Sequence, residues 1–208
     1  MSNSRRNFIQ KIAIGTGALA AGLPSLARVT GATDEQMERS EGYEKKAQRF
    51  NMSGYAAPKL ATVRIGIVGL GMRGSDAVDR LSYIDGVEIT SLCDKDPDRV
   101  AAAQKTLEKM GRPKAKEYSG QEGYKALCES NDVDLVYTPS PWSLHTPVAL
   151  YAMRHGKHAA TEVPAGKTMD ELWELVETSE KTKQHCMMLE NCCYDFFELL
   201  TLNLTRQG

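Results

Sequence analysis

A chain of 208 residues with a formal net charge of −1 has room for one domain and a tail, or for two small domains. Hydrophobic content of 41% beside 25% charged residues suits a chain that buries a core in water. Acids and bases are mixed along it without a basic stripe, which excludes nucleic acid as a partner.

The N-terminus reads as an export leader. Ser4-Arg5-Arg6-Asn7-Phe8-Ile9-Gln10-Lys11 precedes a Gly/Ala-rich, modestly apolar stretch over residues 12–26. Small residues follow at cleavage spacing, Ser25-Leu26-Ala27 or Thr30-Gly31-Ala32. The stretch is too short and too weakly apolar to span a bilayer well, and it has the charged, apolar and small-residue regions of a signal peptide. Paired arginines before Phe8 and Ile9 resemble the twin-arginine signal. The expectation is export by the twin-arginine machinery to the periplasm or the exterior, without a stable membrane anchor. Residues 1–32 are the signal peptide, and residues 33–62 are a polar leader segment, with Gly54 and Pro58, that leans on the domain after it.

From Val63 the pattern changes to α/β. Val63-Arg64-Ile65-Gly66-Ile67-Val68 is a β-branched run, read as a buried strand. A glycine-rich turn follows, then a helix with Ala77, Val78 and Leu81 on one side. Residues 87–93 form the second strand, 97–110 a helix ended by Gly111 and Pro113, and 115–118 a weaker third strand. A helix over 123–129 and a strand over 133–137 come next. Thr146 is placed as the cap of the following helix, Pro147 in its first turn and Gly156 at its end. Residues 158–162 form the fifth strand. Thr168 with Glu171 makes a capping box before a helix carrying Leu172, Leu175 and Val176. Residues 186–190 form the sixth strand, and an amphipathic helix runs over about 195–206. Strands alternating with helices at this spacing predict a doubly wound parallel sheet, the Rossmann dinucleotide-binding domain, over residues 63–193. Residues 194–208 are then a helix leading towards a C-terminal substrate domain that is absent.

Five cysteines invite a disulfide or zinc reading. The count is odd, Cys93 and Cys186 sit in apolar strands, and His185, Cys186, Cys192 and Cys193 match no usual zinc spacing. A structural reading is preferred, with no metal.

Gly69-Leu70-Gly71-Met72-Arg73-Gly74 gives G-x-G-x-x-G directly after the first strand. Gly69 permits the tight turn, Gly71 lets backbone approach a pyrophosphate, and Gly74 allows close helix–strand packing. The helix N-terminus offers N–H groups and a positive dipole end to phosphates. Alone the motif is weak, but strand and helix stand on the correct sides of it. Asp94, 25 residues after Gly69, ends the second strand, where a carboxylate accepts from the adenosine ribose hydroxyls and repels a 2′-phosphate. Its competing role is to cap the helix at Pro97, a task Asp96 serves at least as well. Lys95 is a minor softening of the preference for NAD over NADP. Three further segments follow strands on that edge: residues 139–145, then Glu162-Val163-Pro164, then Glu190-Asn191.

The pattern over residues 139–147, with Gly156-Lys157-His158 and Glu162-Val163-Pro164, resembles the Gfo/Idh/MocA oxidoreductase family. Members typically show Glu-Lys-Pro at the last of these, the lysine acting near the substrate. Val163 departs from that pattern and argues against ordinary sugar-alcohol dehydrogenation. Residues 50–60, the glycine turn, Glu162-Val163-Pro164 and especially Glu190-Asn191-Cys192-Cys193-Tyr194-Asp195 resemble glycoside hydrolase family 109, known for α-N-acetylgalactosaminidases with tightly held NAD. This narrower resemblance implies that Met72 and Arg73 line the pyrophosphate turn and Asp94 holds the adenosine ribose. It places Trp142, Ser143, Leu144 and His145 along the cofactor towards the nicotinamide, with Glu162, Val163 and Asn191 completing that side. Tyr194 is a candidate at the substrate edge, a packing role being the alternative. The implied substrate is a glycan ending in N-acetylgalactosamine or a similar sugar. The implied chemistry is oxidation at C3, elimination of the aglycone from C1, water addition and re-reduction, which differs from hydrolysis by two carboxylates. No catalytic residue is assigned, because those of the family lie beyond Gly208. The competing readings are an NAD-dependent sugar oxidoreductase and a truncated, non-catalytic NAD-binding module.

Overall fold

A computed structural model of the protein describes residues 50–207. The expected signal peptide and residues 33–49 of the leader segment lie outside them. Residues 50–62 form one turn and no strand or helix. They lie against the end of the sheet through Ala57, whose N–H donates to Nε2 of His185 at 3.3 Å, and through the Tyr55 ring, 5.4 Å from that imidazole.

In chain order the elements are β1 (Val63–Val68), α1 (Met72–Leu81), β2 (Val87–Asp94), α2 (Pro97–Lys109), β3 (Lys116–Ser119), α3 (Gly123–Glu129) and β4 (Leu135–Thr138). They continue with α4 (Trp142–Arg154), β5 (His158–Glu162), α5 (Met169–Thr182) and β6 (Cys186–Leu189), then a 3-10 turn (Asn191–Tyr194) and α6 (Phe196–Gln207). All paired strands are parallel and lie in the order β3-β2-β1-β4-β5-β6. This is the expected doubly wound sheet, whose order reverses between β1 and β4.

Alternation along β1 divides the core. Ile65 and Ile67 join Ala77, Val78, Val100 and Leu107 beneath α1 and α2. Val68 faces the other way, with Leu127, Val136, Val148 and Met153 beneath α3 and α4. Each of these valine, leucine, isoleucine and methionine side chains contributes about 1.5–3 kcal/mol by leaving water. Gly66 also faces the second layer, and a Cβ there would meet Leu127 Cδ2 at 2.6 Å. Leu127 therefore sits against bare backbone.

Local signals decide most helix ends. Asp96 caps α2, accepting the Asp98 N–H at 3.0 Å. Thr168 and Glu171 form the expected capping box of α5. The start of α4 is a correction. It begins at Trp142 rather than after Thr146, so Thr146 and Pro147 lie inside the helix. Tertiary bonds hold the extra turn: the buried Thr146 hydroxyl donates to the Ala165 carbonyl at 2.9 Å, and the His145 ring is fixed between two loops. The 3-10 turn was not expected; Glu190 caps it, accepting the Cys192 N–H at 3.2 Å. In α6, Phe196, Phe197, Leu199, Leu200, Leu202 and Leu204 are all exposed, so the helix presents an apolar surface.

Candidate functional site

The strands end together at Val68, Asp94, Ser119, Thr138, Glu162 and Leu189, and the turns after them make one edge of the sheet. At its centre is the glycine turn. Gly69 has φ +102°, a backbone that side chains resist, and a Cβ on it would lie 2.8 Å from Ser140 Cα. A Cβ on Gly74 would lie 1.9 Å from the Gly69 carbonyl oxygen. Both glycines are thus needed for the turn to fold against α1 and the β4 loop. Gly71 differs: the nearest atom to a Cβ there is the tip of Arg99, 3.7 Å away. Its outer face is open, and α1 begins at it without a side-chain cap. An anionic group can approach the first-turn N–H groups there.

Asp94 is buried and does more than the sequence suggested. Oδ2 accepts the Leu70 N–H at 2.7 Å, and Oδ1 accepts the Asp96 N–H at 3.0 Å. Arg99 stands over it, 3.9 Å from Oδ2 and 3.9 Å from the Asp96 carboxylate. Each Asp94 oxygen keeps a further lone pair for a ribose hydroxyl. Arg99 escaped the sequence reading, although its position one turn into α2 beside Asp96 was available as a signal.

On the other side of the switch point, Arg73 Nη2 donates to Glu162 Oε2 at 3.1 Å. The Tyr137 hydroxyl donates to Glu162 Oε1 at 2.6 Å. Burial, and then the hydrogen bond to Glu162, push the Tyr137 hydroxyl well above the ordinary tyrosine range. Tyr137 was also missed, because in the sequence it is one apolar member of a strand.

The remaining expected residues divide by exposure. Trp142, Ser143 and Leu144 are exposed at the start of α4, and Val163 is exposed at the loop after β5. Met72 is exposed beside Arg73. His145 is only 1% exposed, with Nδ1 2.7 Å from the Pro164 carbonyl oxygen and Nε2 2.7 Å from that of Ser140. It braces two loops of the site instead of presenting its ring to the opening. Named contacts therefore unite the glycine turn, the 140–145 loop and the 162–164 loop. Asn191 and Tyr194 are exposed in the 3-10 turn on the next strand's end. Cys192 and Cys193 are exposed between them, whereas Cys93 and Cys128 are buried and Cys186 is half-buried.

Residues 63–190 match the profile of an oxidoreductase family with an NAD-binding Rossmann fold, Gfo/Idh/MocA. Among curated sequences, the chain is 50% identical over 194 residues to a glycosyl hydrolase family 109 protein of Bacteroides fragilis, covering 92% of this chain and 42% of that one. It is 49% identical over 164 residues to an α-N-acetylgalactosaminidase of the same species, covering 79% of this chain and 39% of that protein. The chain thus spans about two-fifths of the length of these relatives. Among solved structures, the WlbA dehydrogenase of Chromobacterium violaceum, in complex with NADH and UDP-GlcNAcA, superposes with a TM-score of 0.64 at 22% identity. That match covers 73% of this chain and 42% of the dehydrogenase, and it bears on the fold.

Proposed function

Because the chain belongs to the Gfo/Idh/MocA family of NAD-binding oxidoreductases, we propose that it supplies the NAD-holding region of a glycosidase of the family 109 type. NAD is its cofactor, and the residues at the sheet edge fit it: an open glycine backbone for the pyrophosphate and a carboxylate with spare lone pairs for the adenosine ribose. The substrate in this reading is a glycan ending in N-acetylgalactosamine or a close relative, as the name of the 49%-identical protein supports. When bound, NAD supplies a two-electron acceptor that is restored within each turnover, through oxidation at sugar C3, elimination at C1, water addition and re-reduction.

The chain's own residues bind and orient. The start of α1 and Gly71 receive the pyrophosphate, and Asp94 receives the adenosine ribose while holding Leu70. Met72 and Arg73 line the pyrophosphate turn, Arg73 reaching Glu162 on the nicotinamide side, which Trp142, Ser143, Leu144 and Val163 line with Asn191 beyond. Tyr194 is kept as a candidate at the substrate edge. Both His145 ring nitrogens are engaged by carbonyls, so we assign it no proton transfer.

The observation that carries the glycosidase reading over a dehydrogenase one is the 49–50% identity to family 109 proteins, and Val163 accords with it. That residue is exposed at the site, where the wider family typically has a lysine. A retained cofactor also suits the twin-arginine route, which carries folded proteins and which we propose for Arg5 and Arg6. No helix among the described residues is long and apolar enough to cross a membrane.

The test has two parts. The nucleotide released on denaturing the purified chain is identified by mass spectrometry, and the chain, joined to the C-terminal region of the 50%-identical relative, is incubated with an aryl α-N-acetylgalactosaminide. Bound NAD and aryl release without net NADH support the proposal. Accumulating NADH with a free sugar favours the oxidoreductase, and bound NAD with neither activity favours a binding module.

A further inference from the structure

Glu162 is the last residue of β5, and its side chain is only 13% exposed. A carboxylate so far out of water must be compensated by donors. Among the described residues it has two, one for each oxygen, and they come from distant parts of the chain. The Tyr137 hydroxyl takes Oε1 from β4, and Arg73 takes Oε2 from the first turn of α1.

Strand register explains why Tyr137 reaches it. Tyr137 pairs with Ala160 across β4 and β5, and both belong to the core layer beneath α1 and α2. Glu162 lies two residues beyond Ala160, on the same face, and is therefore the diagonal neighbour of Tyr137. The Tyr137 ring is buried, so its hydroxyl is presented from a fixed point. Arg73, with its side chain 43% exposed, is the more open member. Without Tyr137, Glu162 would have Arg73 alone as partner among the described residues, and its carboxylate would be free to follow that side chain. With Tyr137, Oε1 is tied to β4 while Oε2 meets Arg73.

We propose that Tyr137 is a positioning residue for the cofactor: its 2.6 Å hydrogen bond holds the Glu162 carboxylate where, beside Arg73, it meets the nicotinamide half of NAD. This rests on the reading of the site as an NAD site, and it adds a residue outside the glycine turn, Asp94 and the edge loops.

The test uses the full chain stripped of nucleotide and titrated calorimetrically with NAD and with ADP, which carries the adenosine and pyrophosphate but no nicotinamide riboside. Tyr137→Phe is expected to weaken NAD roughly tenfold, the scale of one lost hydrogen bond to a charged group, and to leave ADP within about twofold. In a double-mutant cycle, adding Tyr137→Phe to Glu162→Gln should cost NAD affinity little more than Glu162→Gln alone. Wild-type NAD affinity in Tyr137→Phe overturns the proposal, as do equal losses of NAD and ADP, or fully additive losses. If Tyr137→Phe does not fold, Glu162→Asp replaces it, keeping the charge but withdrawing it from the hydroxyl. The same selective loss of NAD is then required, and its absence overturns the proposal. A wild-type chain that binds neither nucleotide removes the NAD reading itself, an outcome distinct from a failure of Tyr137 alone.

Discussion

The Leu70 N–H donates to Asp94 Oδ2 at 2.7 Å, so the carboxylate that ends β2 braces the glycine turn that follows β1. Asp94→Ala removes both the brace and a ribose acceptor. It should lower stability by about 1–3 kcal/mol, the cost of leaving a buried N–H unpaired, and weaken NAD markedly. Asp94→Asn keeps an oxygen for Leu70 but turns an amide N–H towards the Asp96 N–H, and should recover only part of the stability. Denaturant unfolding and NAD titration of both variants separate the two roles, and unchanged NAD affinity in Asp94→Ala removes the ribose assignment.

Gly74→Ala and Gly71→Ala should split the other way from each other. At Gly74 the new methyl would meet the Gly69 backbone carbonyl oxygen at 1.9 Å, and stability should fall by about 3 kcal/mol, the upper end of the usual overpacking cost. At Gly71 it would meet only the flexible tip of Arg99, so the melting temperature should hardly move. NAD affinity should still drop at Gly71, because the methyl occupies the approach to the first turn of α1. Thermal melts with and without NAD read both effects.

Acid should loosen the β5–β6 end of the sheet through His158. Its Nδ1 accepts the His185 N–H at 2.9 Å, which requires that nitrogen to be unprotonated. Burial first, and the neighbouring His185 second, hold its pKa below the ordinary 6.5, while Asp134 acts in the opposite direction. The unfolded chain takes up the proton more readily, so this contribution is complete above about pH 6.5 and is lost as pH falls towards the lower folded value. Unfolding midpoints measured across that range should decline on the acid side. The His158→Gln variant should show a shallower decline, and an identical slope would exclude His158 as its source.

Thiol reactivity should follow the fold. Burial pushes the Cys93 and Cys128 thiols up to about 12 and that of Cys186 up to about 11. Cys192 and Cys193 are exposed, although Glu190 and then Asp195 raise the Cys192 thiol. A colorimetric disulfide reagent should therefore modify two thiols quickly in the native protein and all five of the chain after denaturation. A single phase covering five would contradict the buried placement.

Much of the architecture is written in short stretches of sequence. The β-branched run ending at Val68, the glycines after it, the Asp96 cap and the Thr168–Glu171 box act within a few residues. Such signals depend on backbone sterics and local hydrogen bonds, which neighbours along the chain decide. They sufficed for six strands, their alternation with helices and the edge on which the site lies.

What they left undecided was every partnership across the sheet. Arg73 and Glu162 are 89 residues apart, and Tyr137 and Glu162 are 25 apart on adjacent strands. Thr146, a good cap by sequence, spends its hydroxyl on Ala165 instead, because the 162–168 loop passes beside α4. His145 turns inward for the same reason, its ring nitrogens meeting the carbonyls of Ser140 and Pro164. The sequence by itself determined which residues stand at the ends of the strands. Only the order and register of those strands decided which of them touch, because a side chain's partner is set by what the folded sheet places within about 3 Å of it.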